Sequence, residues 1–239
     1  MNVMALSCVW EHNGDDTLMY VSELPGAYTR GANLEEAMDK MEGEVMSYLK
    51  WAGKPLPDSV NVKIVQDATC GLNVYDADSD VLFDSEREPL TMAEYETLKA
   101  LAMRSAESFQ QLFDSIPTKD SSSDPVRNTF YGQVPRTAGE MYKHTKDVNA
   151  YYFGEINVDA DNDGTISQCR ARGFDALEKL PDFLTQPPQE GSYGEYWTLR
   201  KLMRRFIWHD RIHAKAMLRM ARRNGLGDCL EDAFFLGLK

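Results

Sequence analysis

Hydrophobic positions along the 239-residue chain repeat with two different periods, and the place where the period changes divides it. Over roughly the first 86 residues the pattern is short and strand-like. Residues 3–10 form an apolar-rich run, Asn13-Gly14-Asp15-Asp16 is a turn signal, and residues 17–22 form a second run, which together predict a β-hairpin. Leu24-Pro25-Gly26 breaks the second strand, and Ala27-Tyr28-Thr29 offers a third. Asn33 stands where a helix cap belongs, with Glu36 three residues on. The helix it opens carries Leu34, Met38, Met41, Val45, Tyr48 and Leu49 on one face, and Trp51-Ala52-Gly53-Lys54-Pro55 stops it. Residues 60–65 then alternate as a strand, and residues 74–83 read as one more.

From about residue 90 the period is helical. Thr91 with Glu94 is a capping box, and the helix it opens runs to about residue 116 through Tyr95, Leu98, Leu101, Phe109, Leu112 and Phe113, ending before Pro117. Thr137 with Glu140 opens a second helix that carries Met141, His144, Val148 and Tyr151 in one stripe. Residues 165–183 give a shorter third helix, and the fourth, the longest, spans 196–224 and closes at Asn224-Gly225. The polar stretch 118–136 between the first two is expected to be a mobile loop. The expected fold class is therefore α+β: a small α/β domain of sheet plus helix over residues 1–86, then an all-α four-helix bundle over 87–239, with the boundary near residues 84–89.

Charge and composition narrow the function classes. A formal net charge of −12 repels phosphate backbones, so no nucleic-acid partner is expected. The Arg and Lys residues of the last helix (Arg200, Lys201, Arg204, Arg205, Arg211, Lys215) are read as a solvated face. No apolar run approaches membrane-spanning length, so no membrane partner is expected either. Met1-Asn2-Val3-Met4 lacks the basic-then-apolar pattern of a signal peptide, and the scattered Cys8, Cys70, Cys169 and Cys229 suit a reducing, cytoplasmic setting.

Candidate chemistry concentrates in the histidines. His209 and His213 are one turn apart on the face that also holds Leu202, Phe206, Met217 and Met220, so both rings point inward. His144 occupies an apolar phase of its own helix and could complete a three-nitrogen metal site with an open coordination position. Zinc is the default divalent metal for imidazole ligands, with nickel, iron and manganese as alternatives. Glu140 and Asp147 are candidate partners for His144, and Arg204 and Arg211 candidate binders of a substrate carboxylate. His12, beside the hairpin turn, is expected to be exposed. Residues 159–166 match the first eight positions of an EF-hand loop, but Arg170 stands where the bidentate Glu belongs, so no tight Ca²⁺ site is expected.

Two resemblances follow from these motifs. Ser22-Glu23-Leu24-Pro25-Gly26-Ala27-Tyr28-Thr29-Arg30-Gly31 followed by Leu34-Glu35-Glu36-Ala37-Met38 resembles the HicB-like antitoxin domain. That resemblance implies a small sheet with a helix packed on it and a possible protein partner. Lys143-His144-Thr145 and Trp208-His209-Asp210-Arg211-Ile212-His213 resemble the DinB-like (DinB/YfiT) bundle family. This second resemblance implies a homodimeric four-helix bundle with His144, His209 and His213 as metal ligands. It also implies a thiol-dependent transferase or a hydrolase, acting on a small-molecule substrate and using a low-molecular-weight thiol. The alternative is a non-enzymatic binding or regulatory protein, with an interaction module carried on a metal-stabilised bundle.

Overall fold

A computed structural model describes every residue except 1, 15, 75–78, 130–131, 227–229 and 238–239. Its architecture is α+β, a four-stranded sheet followed by helices. Strands β1 (Val3–His12), β2 (Thr17–Val21) and β3 (Tyr28–Gly31) form an antiparallel meander. Helices α1 (Leu34–Asp39) and α2 (Met41–Trp51) then carry the chain across to β4 (Ser59–Thr69), which lies parallel to β1. The sheet order is β3-β2-β1-β4. Asn33 caps α1 by accepting from the Glu36 amide, as its spacing predicts, but the expected single helix breaks at Lys40.

No strand forms over the described part of 74–83, contrary to the expectation from its apolar residues. Side chains have taken over its backbone hydrogen bonds. The Glu11 carboxylate accepts from the amides of Asp80 and Val81, at 3.2 and 3.3 Å. Lys201, Arg204 and Arg205 donate to the carbonyls of Asp80, Val81 and Ser79. With its polar groups satisfied this way, the segment has no need of a neighbouring strand.

A 3-10 turn, Asp84–Arg87, leads from the sheet to the helices. Helices α3 (Met92–Ser115), α4 (Ala138–Gly154), α5 (Ile166–Leu177) and α6 (Leu199–Arg223) supply the expected four. The capping boxes at Thr91/Glu94 and Thr137/Glu140 form as the spacing predicts. Gly173 lets α4 and α5 approach closely, since a Cβ there would lie 2.1 Å from the Phe153 ring. Between α3 and α4 the polar stretch holds a short hairpin, β5 (Asn128–Thr129) with β6 (Gly132–Gln133). The segment before the hairpin is fastened to the end of α6 by the pairs Asp124–Arg223 and Ser123–Asn224. A second short hairpin, β7 (Gln189–Glu190) with β8 (Tyr196–Trp197), precedes α6.

The sheet and the helices share one core. A continuous apolar cluster runs from Leu6 and Cys8 of β1 through Tyr48 and Trp51 of α2 to Phe109, Phe206 and Phe234. Trp51 donates to Ser108 of α3 at 3.0 Å and stacks on Phe234. The β2–β3 turn presses onto α6: Gly26 has φ +88°, and a Cβ there would lie 2.5 Å from Ile207 Cγ2. Only glycine meets both demands.

As a result α6 is enclosed on nearly every side, and the solvated cationic face expected from the sequence does not exist. Lys201, Arg204, Arg205 and Arg211 are buried. Each finds partners outside its own helix: Arg204 bonds Glu86, Arg211 and Lys215 bond Glu44, and Lys201 bonds Glu195. No helix among the described residues is long and apolar enough to cross a membrane.

Candidate metal centre

Helices α4 and α6 bring His144, His209 and His213 together, the three residues singled out in the sequence. One ring nitrogen from each can be chosen so that all lie within 4.8 Å of one another. The ring centroids are 4.4 Å apart for His209–His213, 4.7 Å for His144–His213 and 5.1 Å for His144–His209. His213 Nε2 is 3.2 Å from His209 Nε2. The one-turn spacing on α6 sets this short distance, and the register of α4 against α6 brings the third ring in.

The cluster is graded in depth. His209 is buried beneath Tyr152, whose ring centroid is 5.9 Å away edge-on, and His213 is half-buried. His144 is exposed and lines an open groove with Val134, Pro135, Lys143 and Asp147. Burial lowers the pKa of His209 well below 6.5, and the neighbouring His213 and His144 lower it further. Burial does the same to His213, again with His144 contributing. For His144, exposed at the groove but packed against the other two rings, partial desolvation outweighs the opposing pull of the Asp147 carboxylate, so its pKa is lowered as well. These shifts all favour the neutral ring, the form in which imidazole binds metal.

The donor set fits a divalent cation. Two nitrogens sharing a zinc at about 2.1 Å each would stand roughly 3.4 Å apart at the tetrahedral angle, close to the 3.2 Å between His209 and His213. Without a cation, the two Nε2 atoms can share only one proton between them. His209 Nδ1 is buried with no hydrogen-bond partner, so one nitrogen of that ring is unsatisfied in either tautomer.

The other candidate residues are engaged by partners elsewhere. Glu140 caps α4, accepting from the amides of Arg136 and Thr137. Asp147 is held by Lys143 and Lys146. Arg204 and Arg211 are committed to Glu86 and Glu44 and are not placed to receive a substrate at the histidines. His12 is half-buried, stacked on Trp10 and bonded to Asp67 at 2.9 Å. In the EF-hand-like loop, Asp161 is bound by Arg172, and the Asn162 side chain bonds backbone of α4.

Two features of the site were not foreseen. Arg170, read as part of the acidic loop, is fully buried on α5 and makes a bidentate pair with Asp210, at 2.6 and 3.0 Å. Arg205, one turn before His209, lies 5.5 Å from the Tyr152 ring and 4.7 Å from the Trp208 ring. Asp210 between two inward-facing positions was the available signal, since a buried carboxylate requires a cation. No family model matches the chain, and no curated protein or solved structure does either.

Proposed function

We propose that His144, His209 and His213 hold a catalytic divalent cation, zinc by default, and that the protein is a metal-dependent transferase or hydrolase acting on a small molecule. The observation that carries this reading is the 3.2 Å approach of the His209 and His213 Nε2 atoms beside a third imidazole. A cation bound there supplies Lewis-acid activation of a fourth ligand. The chain's own residues define what that ligand can be. The cluster itself contributes no carboxylate, and Arg205 adds positive charge beside His209, Arg170 being paired with Asp210. An anionic group, such as the thiolate of a low-molecular-weight thiol, is favoured in this field. His144 is the ring nearest solvent, so substrate approaches along the groove beside Lys143 and Asp147. Tyr152 and Phe206 close the inner side against water.

The test is elemental analysis of the purified chain, followed by turnover assays with thiol conjugates and small esters. Stoichiometric zinc, nickel, iron or manganese that disappears in His209→Ala, together with any metal-dependent turnover, supports the reading. Absence of metal after loading under metal-replete conditions overturns it. The alternative of a regulatory protein draws on a different observation: among the described residues β4 pairs only with β1, leaving an edge at which a partner chain could add a strand. Co-purification of a small protein lost on substitution of Val62 or Ile64 by proline would favour that alternative.

A further inference from the structure

A cleft of about 420 Å³ opens on the other side of α6, at the seam between the sheet and the helices. Its volume falls within the usual range for small-molecule sites, roughly 300–1,000 Å³. Val9, Val65, Phe83 and Leu98 give it an apolar lining. The sheet is modified at this point. Cys8 pairs with Ile64 and Val9 with Gln66, so Val65 is an extra, unpaired residue in β4. Bulges of this kind re-aim side chains next to functional sites.

The polar lining is incompletely satisfied. Arg204 is 2% exposed and spends Nε and Nη2 on Glu86 and the Val81 carbonyl, while its Nη1 is buried without a partner. Ser22 Oγ, also in the cleft wall, is buried without a partner too. Arg200 lines the cleft one turn earlier on the same face of α6, with its Nε and Nη2 engaged by Glu88, Pro89 and Glu94. Two guanidinium groups one turn apart suit a carboxylate. The same cleft contains the carboxylates of Glu23 and Asp84. Among the described residues Glu23 accepts only the Ser7 amide, at 2.9 and 3.1 Å. Those acids disfavour a plain anion and complement an ammonium group.

We propose that this cleft is a second small-molecule site, which takes a zwitterion with an apolar body, of the class of apolar α-amino acids. The ligand carboxylate sits at the Arg200 and Arg204 end of the cleft, its ammonium meets Glu23 and Asp84, and its side chain lies against Val65, Phe83 and Leu98. Arg204 and His209 are five positions apart, about 140° around the helix, so the two sites occupy different faces of α6. The inference stands independently of the metal reading.

Calorimetric titration of the full chain with L-phenylalanine tests it, alongside N-acetyl-L-phenylalanine and L-phenylalaninamide, which each lack one of the two charges. Saturable one-to-one binding is expected, weakened about tenfold or more in each analogue, as loss of a charge-assisted contact implies. Ser85→Trp, which fills the cleft mouth from an exposed position, and Glu23→Gln should each weaken binding by a similar factor with unchanged circular dichroism. His209→Ala should leave it intact. No saturable heat with the unaltered chain overturns the proposal. So does binding that survives both Ser85→Trp and Glu23→Gln, and an N-acetyl analogue that binds as well as the parent would overturn the zwitterion assignment.

Discussion

The two sides of α6 bury polar groups in opposite ways. Towards the sheet and α2 the helix presents Arg204, Arg211 and Lys215, all charged and all paired with carboxylates supplied by the first 90 residues. Towards α4 it presents His209 and His213, which meet His144, stay neutral and leave His209 Nδ1 without a partner. Burial is similar on both sides, so burial alone does not explain the difference. Buried polar groups in folded proteins are normally satisfied. The sheet-facing side pairs each of these charges with a carboxylate, which marks it as structural, although Arg204 Nη1 and Arg211 Nη1 are left without partners. The α4-facing side buries no charge against a carboxylate: three imidazoles converge there, and His209 Nδ1 has no partner.

The largest expected effect lies on the charged side. Burial pushes the Glu44 carboxyl up, but Arg211 and Lys215 outweigh it and hold its pKa below the ordinary 4.5. Glu44→Ala would leave Arg211, fully buried, without its counter-ion. Removal of one partner from a buried pair costs about 3–5 kcal/mol, and urea unfolding should show a loss of that size. A loss under about 1 kcal/mol, the range of a surface pair, would mean that these charges are effectively solvated and that the two sides do not differ as argued.

Backbone fit on the same side comes next. Gly26→Ala must place a Cβ at φ +88°, 2.5 Å from Ile207 Cγ2. The left-handed backbone costs about 1–2 kcal/mol and the overpacking about 1–3 kcal/mol, so destabilisation of roughly 3 kcal/mol is expected in the same unfolding experiment. Gly14→Ala is the control, because its φ is +95° but nothing lies within 4 Å of the added carbon. It should show the backbone part alone.

Much of this was legible in the sequence, and what was not has a physical cause. Caps are local, so Asn33, Thr91, Thr137 and Gly225 could be read from spacing alone. The one-turn spacing of His209 and His213 is local too, and His144 was found because its own helix showed an apolar phase. The cationic residues of α6 were misread because periodicity reports one face at a time. It cannot show that a sheet from elsewhere in the chain covers the other face, with Glu44 and Glu86 positioned to meet Arg211 and Arg204. The strand expected over 74–83 failed for a similar reason. Its backbone partners are the side chains of Glu11, Lys201, Arg204 and Arg205, more than 60 residues away in either direction.

On the neutral side, the proposed cation would take the place of pairing as the source of stability. Zinc at 100 times its dissociation constant should raise stability by about 2.7 kcal/mol through mass action. The rise should vanish in His209→Ala and His213→Ala and persist in Glu44→Gln if that variant folds. Thermal unfolding with and without zinc measures it. A zinc-induced rise of equal size in His209→Ala would show that the ion stabilises the chain somewhere else.

The smallest effect separates the two sides by pH in the chelator-treated protein. His209 and His213 have folded-state pKa values below 6.5, lowered by burial and by neighbouring imidazoles. As pH falls through 6.5 the unfolded chain takes up protons that the folded chain refuses, so stability falls. For two rings this amounts to on the order of 1 kcal/mol between pH 7 and 6. Glu44 has its pKa below 4.5, so its contribution is complete above that value and is lost only as pH falls beneath it. Stability of the unaltered chain should therefore fall in two steps, an upper one from the imidazoles and a lower one from the buried carboxylate. His209→Ala should flatten the upper step and leave the lower one in place. If the upper step is equally steep in His209→Ala and His213→Ala, the rings are not held neutral by burial, and the contrast between the two sides of α6 is wrong on the imidazole side.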